Sequence, residues 1–245
     1  MSDPLTPELW PFRDDALLVR FARVASPQAS GAVQAFTAAL ADVLPKGVVE
    51  TAPALASVLI RFEPDTGVAK VIHTAVQSLL QSRDWAAAPS PKASRIWHIP
   101  ACFAGEYAPQ LAEVANLAGL TPVKAVKEVL ETDIRVLAIG FAPGQPYLGL
   151  LPERWGFPRQ EALTPKVPAG ALVAAVRQLV LFANESPTGW RQIGQTAFRP
   201  FQPEAEVSFP LRAGDAVRFH AVSPSEFDAL RQGDPMGGAR VESAS

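Results

Sequence analysis

The chain has 245 residues, 48% hydrophobic and 19% charged, a balance that supplies packed cores and excludes a disordered chain. At roughly 100 to 200 residues per domain, two domains are expected. Its 22 basic and 24 acidic side chains leave a formal charge of -2, too small a field to gather nucleic acid or an anionic membrane, so neither partner is expected.

Alternation over residues 17–21 places Leu17, Val19 and Phe21 on one face, as in a half-buried strand. Ser26 and Pro27 then supply a helix N-cap and first position. Ala29, Val33, Phe36, Leu40 and Val43 recur at steps of three and four, predicting a helix that stops near Leu44, before Pro45 and Gly47. Strands are expected over 48–52 and 57–62. A second helix follows with Val68, Val71, Ile72, Ala75, Val76 and Leu79 as its apolar stripe. The order β-α-β-β-α predicts a small sheet with both helices on one face. After Trp85 the run Ala-Ala-Ala-Pro-Ser-Pro-Lys-Ala packs little apolar area and is stiffened by Pro89 and Pro91, which marks a domain boundary.

Beyond it, residues 95–99 read as a strand, and 109–118 and 122–130 as short helices separated by Gly119. The segments 134–141, 171–176, 179–182, 191–196 and 216–222 read as short strands among Pro- and Gly-bearing loops, better matched by a barrel than by a sandwich. Ser223 and Pro224 cap a last helix through Leu230, and residues 233–245 hold too few large apolar side chains to order. The expected fold class is therefore α+β: an N-terminal α+β domain over 1–88, a β-barrel domain with short helices over 89–232, and a disordered tail over 233–245.

Several chemistries lack their signatures. There is no GxxxxGK[ST] loop, no GxGxxG after a strand, no GxSxG elbow and no HExxH pair. The single cysteine, Cys102, forms no internal disulfide and cannot build a Cys-rich zinc site. Its neighbours Ala101 and Phe103 favour a buried inert thiol, and a reducing cytoplasm is expected. His73, His98 and His220 are far apart in sequence without ligand spacing, so no metal site is expected and each reads as structural or surface. Asp3, Pro4, Pro7 and Glu8 stand where a signal peptide would carry basic residues, and no apolar run reaches about 18 residues, so neither a signal peptide nor a membrane span is expected.

Three loops are rich in Gly and Pro, which together hold a backbone in one shape: Gly140-Phe141-Ala142-Pro143-Gly144-Gln145-Pro146-Tyr147-Leu148-Gly149, Val167-Pro168-Ala169-Gly170 and Ser186-Pro187-Thr188-Gly189-Trp190. A rigid ligand cradle and a turn that merely closes the barrel are both open for the first, and Trp190 reads as either pocket wall or core plug. These blocks, with Pro158-Arg159, Gln178, Ile193-Gly194 and Gly214-Asp215-x-Val217-Arg218-Phe219, resemble the family of the 5-oxoprolinase B subunit, also called allophanate hydrolase subunit 1 or carboxyltransferase domain subdomains C and D. That family includes an inhibitor of a sporulation histidine kinase.

The resemblance implies that the barrel is cyclophilin-like. It implies a subunit that acts with a homologous partner, of the allophanate hydrolase subunit 2 or 5-oxoprolinase C-subunit type, and with a third 5-oxoprolinase subunit, to open 5-oxoproline to glutamate with ATP as the cofactor of the assembly. Arg159 is the candidate oxyanion or phosphate donor and Gln178 the candidate amide-orienting residue. Gly140, Phe141, Pro143, Gly144, Tyr147, Gly149, Pro168, Gly170, Pro187, Gly189 and Trp190 form the candidate binding loops. The chain departs from the family where Gln145 replaces Phe after Pro-Gly, Leu163-Thr164 replaces a second Pro-Arg, Ala171 replaces Ser, Leu179-Val180 replaces Thr-Gly, Phe182 replaces Tyr, Thr188 replaces Gly and Val129 replaces His. Proton carriers and donors are lost while the Gly, Pro and Trp framework stays, so a degenerate binding or inhibitory protein is the alternative function. Lys166 is a candidate replacement for the missing Arg charge, or a surface lysine.

Overall fold

The computed structural model describes residues 5–64, 66–89 and 91–244. The acidic start at Asp3 and Pro4, Ser90 of the linker and the final Ser245 lie outside the described residues. The chain divides into two compact units between Lys92 and Ala93.

The first unit runs β1 (Glu8–Pro11), β2 (Ala16–Arg20), α1 (Pro27–Val43), β3 (Val48–Pro53), β4 (Ser57–Phe62) and α2 (Thr66–Gln81). Its strands form an antiparallel sheet in the order β1-β2-β4-β3. Ser26 caps α1 by accepting from the Ala29 N–H at 3.0 Å, as its place before Pro27 predicts. Phe36 of α1 meets Phe21 and Trp85 edge-on at 5.4 and 5.1 Å, the centre of a core shared by β2, β4 and both helices. Two expected core positions are corrected. Val43 and Val71 are exposed: the buried face of α1 ends at Leu40, and α2 buries the Ile72, Val76 and Leu80 row instead.

The second unit runs β5 (Arg95–Cys102), α3 (Leu111–Leu117), α4 (Pro122–Glu131), β6 (Ile134–Ile139), β7 (Pro146–Gly149), β8 (Thr164–Val167), β9 (Ala171–Ala175), β10 (Gln178–Leu181), β11 (Ser186–Thr188), β12 (Arg191–Gln195), β13 (Ala216–Val222), α5 (Pro224–Arg231) and β14 (Arg240–Ser243). Seven strands close into a ring, β12-β9-β10-β7-β6-β13-β5, sealed where Gln195 of β12 lies opposite Cys102 of β5. Every contact in the ring is antiparallel except that of β5 with β13. Alternation fills the interior with Trp97, Ile99, Ala101, Val217 and Phe219 while sending His98, Arg218 and His220 outward. Asp215, 4% exposed, pins the start of β13 by accepting from Arg95 Nε at 2.9 Å, Trp97 Nε1 at 3.1 Å and the Arg212 N–H at 2.8 Å.

Residues 233–245 are not a loose tail. Arg240–Ser243 pairs with Arg95–His98 of β5, on the stretch of its edge that β12 leaves free. The side chains of β14 are all exposed, so apolar content carries no signal of a strand held by its backbone ladder. The hairpin from β9 to β10 is equally silent, since Val176 and Arg177 make its two-residue turn at φ 44° and 65° without the usual Asn-Gly.

Candidate functional site

The first loop leaves β6 at Gly140 and returns to β7 at Pro146. It is closed by the Gly140 N–H donating to Gln145 O at 3.0 Å and the Gln145 N–H donating to Ala142 O at 3.1 Å. Gly144 is left-handed at φ +71° and lies so near Pro200 O that a Cβ there would sit 2.5 Å from it, which excludes any larger residue. Phe141 shares the left-handed conformation at φ 71° without being glycine and stands 80% exposed.

The third loop is fixed from its own residues. Thr188 Oγ1 accepts from the Trp190 N–H at 3.0 Å, and the Gln160 N–H donates to Gly189 O at 2.7 Å. Gln160 Nε2 donates to Thr164 Oγ1 and Trp190 O, both at 3.2 Å, while its Oε1 accepts from Gln110 Nε2 at 2.8 Å. These bonds, with the two-stranded ribbon of β8 and β11, bind the Arg159 segment against the Trp190 loop. Arg159 stacks its guanidinium 5.0 Å from the Trp190 ring, whose other contact is Tyr147, edge-on at 6.3 Å.

Between these loops lies a cleft of about 250 Å³, floored by Val180 and Phe182 and walled by Phe141, Gln145, Tyr147, Arg159, Gln160, Leu163, Pro187, Thr188, Gly189 and Trp190. Arg159 is its single cation, exposed, and no carboxylate among the described residues pairs with it. Trp190, 6% exposed, is at once buried and a cleft wall.

Of the candidate residues, Phe141, Tyr147, Arg159, Pro187, Gly189 and Trp190 border this cleft, whereas Gly140, Pro143, Gly144 and Gly149 shape the first loop and its strand without lining it. Two sets of candidates lie elsewhere. The second loop does not reach the cleft: Gly170 instead lets its backbone close on Thr196, whose N–H donates to Gly170 O at 2.8 Å, so Pro168 and Gly170 serve the barrel end near β12. Gln178 shares a face of β10 with Val180 and Phe182 but is buried at the other end of the strand, against Gly149.

Gln145, Gln160, Leu163, Thr188, Val180 and Phe182 also line the cleft. All but Gln160 stand out in the sequence only as departures from the family pattern, and Gln160 only by following Pro158-Arg159, so none carries a motif of its own. Lys166 pairs with Glu185 at 2.8 Å on the surface and does not enter the cleft. Cys102 is buried, and desolvation pushes its thiol up, consistent with an inert side chain.

His98 and His220 come together on the outer barrel face, His98 Nδ1 lying 2.8 Å from His220 Nε2. Their ring centres are 5.1 Å apart with planes 18° from parallel, a separation longer than the N···N distance by about two ring radii. The rings therefore meet edge to edge in one plane through an N–H···N bond. His98 Nε2 faces Glu242 Oε1 of β14 at 3.2 Å. Among the described residues no group of three or more His, Cys, Asp or Glu side chains could hold a metal ion, and no helix is long and apolar enough to cross a membrane.

A small α+β unit followed by a closed barrel is the architecture of the carboxyltransferase kind, and here the barrel's loops border a cleft with one cation. Residues 7–211 match the family model described as carboxyltransferase domain, subdomain C and D, and the chain belongs to that family. It is 29% identical over 226 residues to the 5-oxoprolinase B subunit of Bacillus subtilis (strain 168), covering 89% of this chain and 94% of that protein. A solved structure of TTHA0988 superposes with a TM-score of 0.67 at 27% identity over 85% of this chain, which spans only 40% of that one. The urea amidolyase of K. lactis, 15% identical, covers 100% of this chain with a TM-score of 0.70 through 17% of its own length, a likeness of fold alone.

Proposed function

We propose that this chain is a subunit of a 5-oxoprolinase-type assembly and that its cleft holds the carboxylate of 5-oxoproline on Arg159, the ring lying against Trp190 and Tyr147. The observation that carries the reading is the unpaired guanidinium stacked on Trp190 at the edge of a 250 Å³ cleft. A planar fork held over an indole is preorganised to grip a carboxylate in two places. The name of the B. subtilis relative, aligned over 94% of its length, supports the assembly.

An unactivated lactam is a poor electrophile, and ATP supplies the activation that makes its oxygen a leaving group. A single cation suits a small monoanion better than the several charges of a nucleoside triphosphate, so ATP is assigned to the rest of the assembly and no step is routed through this cleft. A homologous second chain, of the C-subunit type, and a third complete that assembly. Phe141 and Leu163, 80% and 63% exposed at the rim, give a partner protein apolar surface beside the cleft.

The test is 5-oxoproline-dependent ATP hydrolysis by the chain alone and mixed with its partner subunits. Turnover is expected in the mixture only, and Arg159→Met should lower it about 100-fold with the melting temperature nearly unchanged, because the side chain is exposed. Undiminished turnover in that variant removes Arg159 from the mechanism. A mixture that is inactive although the subunits associate favours the inhibitory alternative.

A further inference from the structure

Gln145 is 2% exposed, yet it borders the cleft. Its side-chain Oε1 accepts from the Ala183 N–H at 3.4 Å, and no acceptor among the described residues takes its Nε2. The Ala183 N–H also sets which way the amide faces, because a flipped amide would oppose two donors. Apart from His98 Nε2, which faces Glu242, every fully buried side-chain N or O atom among the described residues has a hydrogen-bond partner. The Gln145 Nε2 has none and must therefore keep some solvent contact. In a side chain otherwise buried along the wall, that contact is with the cleft. The loop holds it there, since the Gln145 N–H and C=O are both bonded within the turn of residues 140–145.

We propose that Gln145 is a specificity-determining residue: its Nε2 donates to a carbonyl oxygen of the ligand whose carboxylate Arg159 holds. The cleft thereby selects small carboxylates that also carry a carbonyl acceptor over those that do not. This rests on the carboxylate reading of the site and adds a second recognition point to it. The selectivity has a physical origin. A cleft ligand without the acceptor leaves a desolvated N–H donor unpaired, whereas a ligand with it satisfies donor and acceptor together. The remaining walls, Val180, Phe182, Trp190 and Tyr147, are mostly apolar and discriminate by shape.

The test compares two probes of one ring shape, 3-oxocyclopentanecarboxylate and cyclopentanecarboxylate, together with 5-oxoproline, by calorimetric titration of the full chain. The wild type should prefer the keto acid by about 10-fold or more. Gln145→Met, of similar length and without the donor, should lose that preference and bind cyclopentanecarboxylate more tightly than the wild type does, since no desolvated N–H is then left unpaired. Gln145→Glu retains an oxygen for the Ala183 N–H and presents a second in place of the NH₂, so it should bind the keto acid worse than Gln145→Met while staying folded. Equal binding of the two probes by the wild type, or a preference that survives in both variants, overturns the proposal. Arg159→Met addresses the underlying reading separately: it should weaken all three probes alike. If it weakens none while the Gln145 variants still abolish the keto preference, the carboxylate reading fails and the Gln145 contact stands. A wild-type chain that binds none of the three overturns both.

Discussion

Gly144→Ala isolates the claim that the first loop is a rigid bend and not a passive connection. An alanine there must hold φ near +71°, at about 1–2 kcal/mol for an L-residue in the left-handed region. Its Cβ would also lie 2.5 Å from Pro200 O and 3.0 Å from Phe201 Cβ. Relieving that overlap means shifting backbone, about 1–3 kcal/mol more by the cost of overpacking. The sum, about 2–5 kcal/mol, corresponds to a fall in melting temperature of roughly 5–15 °C for a unit of this size. The loop itself supplies the control. Gly140 has no positive φ, and a methyl group added there would meet nothing within 4 Å, so Gly140→Ala should change stability by less than about 0.5 kcal/mol. Calorimetry of the full chain, following the transition of the barrel unit, reads both. If Gly144→Ala melts within about 2 °C of the wild type, or Gly140→Ala loses as much, the bend is not held by its glycine.

Asp215→Asn replaces a buried acceptor of several hydrogen bonds with an amide whose NH₂ must face a donor, and it leaves Arg95 uncompensated. Breaking such a pair costs about 3–5 kcal/mol, reduced here to about 2–4 because the Arg95 side chain is 24% exposed; a loss under 1 kcal/mol by urea denaturation would contradict the pinning of β13. The histidine pair predicts a pH dependence. Burial, then the charges of His98, Arg240 and Arg218, push His220 below its ordinary 6.5, so the fold favours its neutral form. The stability it confers is complete above about pH 6.5 and is lost as pH falls through the lowered folded value of His220. His98, Glu242, Arg240 and Arg218 face the pair from β5, β14 and β13, so His220→Gln should flatten the acid limb of melting temperature against pH. Equal slopes in variant and wild type refute it.

Much of the local structure is legible from neighbouring residues. The Ser26-Pro27 and Ser223-Pro224 caps start their helices, and alternation delimits β4 and β13 to the residue, because caps and side-chain period act within a few positions. The features that are not legible are held by partners remote in sequence: β14 by the backbone edge of β5, and the Val176-Arg177 turn by the backbone of Leu151, Trp155 and Phe157. The site divides in the same way. Arg159, Trp190 and the first loop stand out through residue type, and Gln145 looks like a departure from the family until its amide is seen on the cleft wall.

By itself, the order of residues determined the helices, the stiff bends and the longer strands, though not the short β1, β7, β8, β11 and β14, and which side chains bear charge or a donor, since these depend on chemistry a few bonds away. Only the tertiary structure decided that the first and third bends meet while the second closes on Thr196, and that Gln178 is walled off while Gln145 faces the cleft. Those outcomes are set by ring closure. With β5 shared among β13, β12 and β14, strands far apart in sequence become neighbours, and no local signal encodes which loops such a closure brings to one mouth.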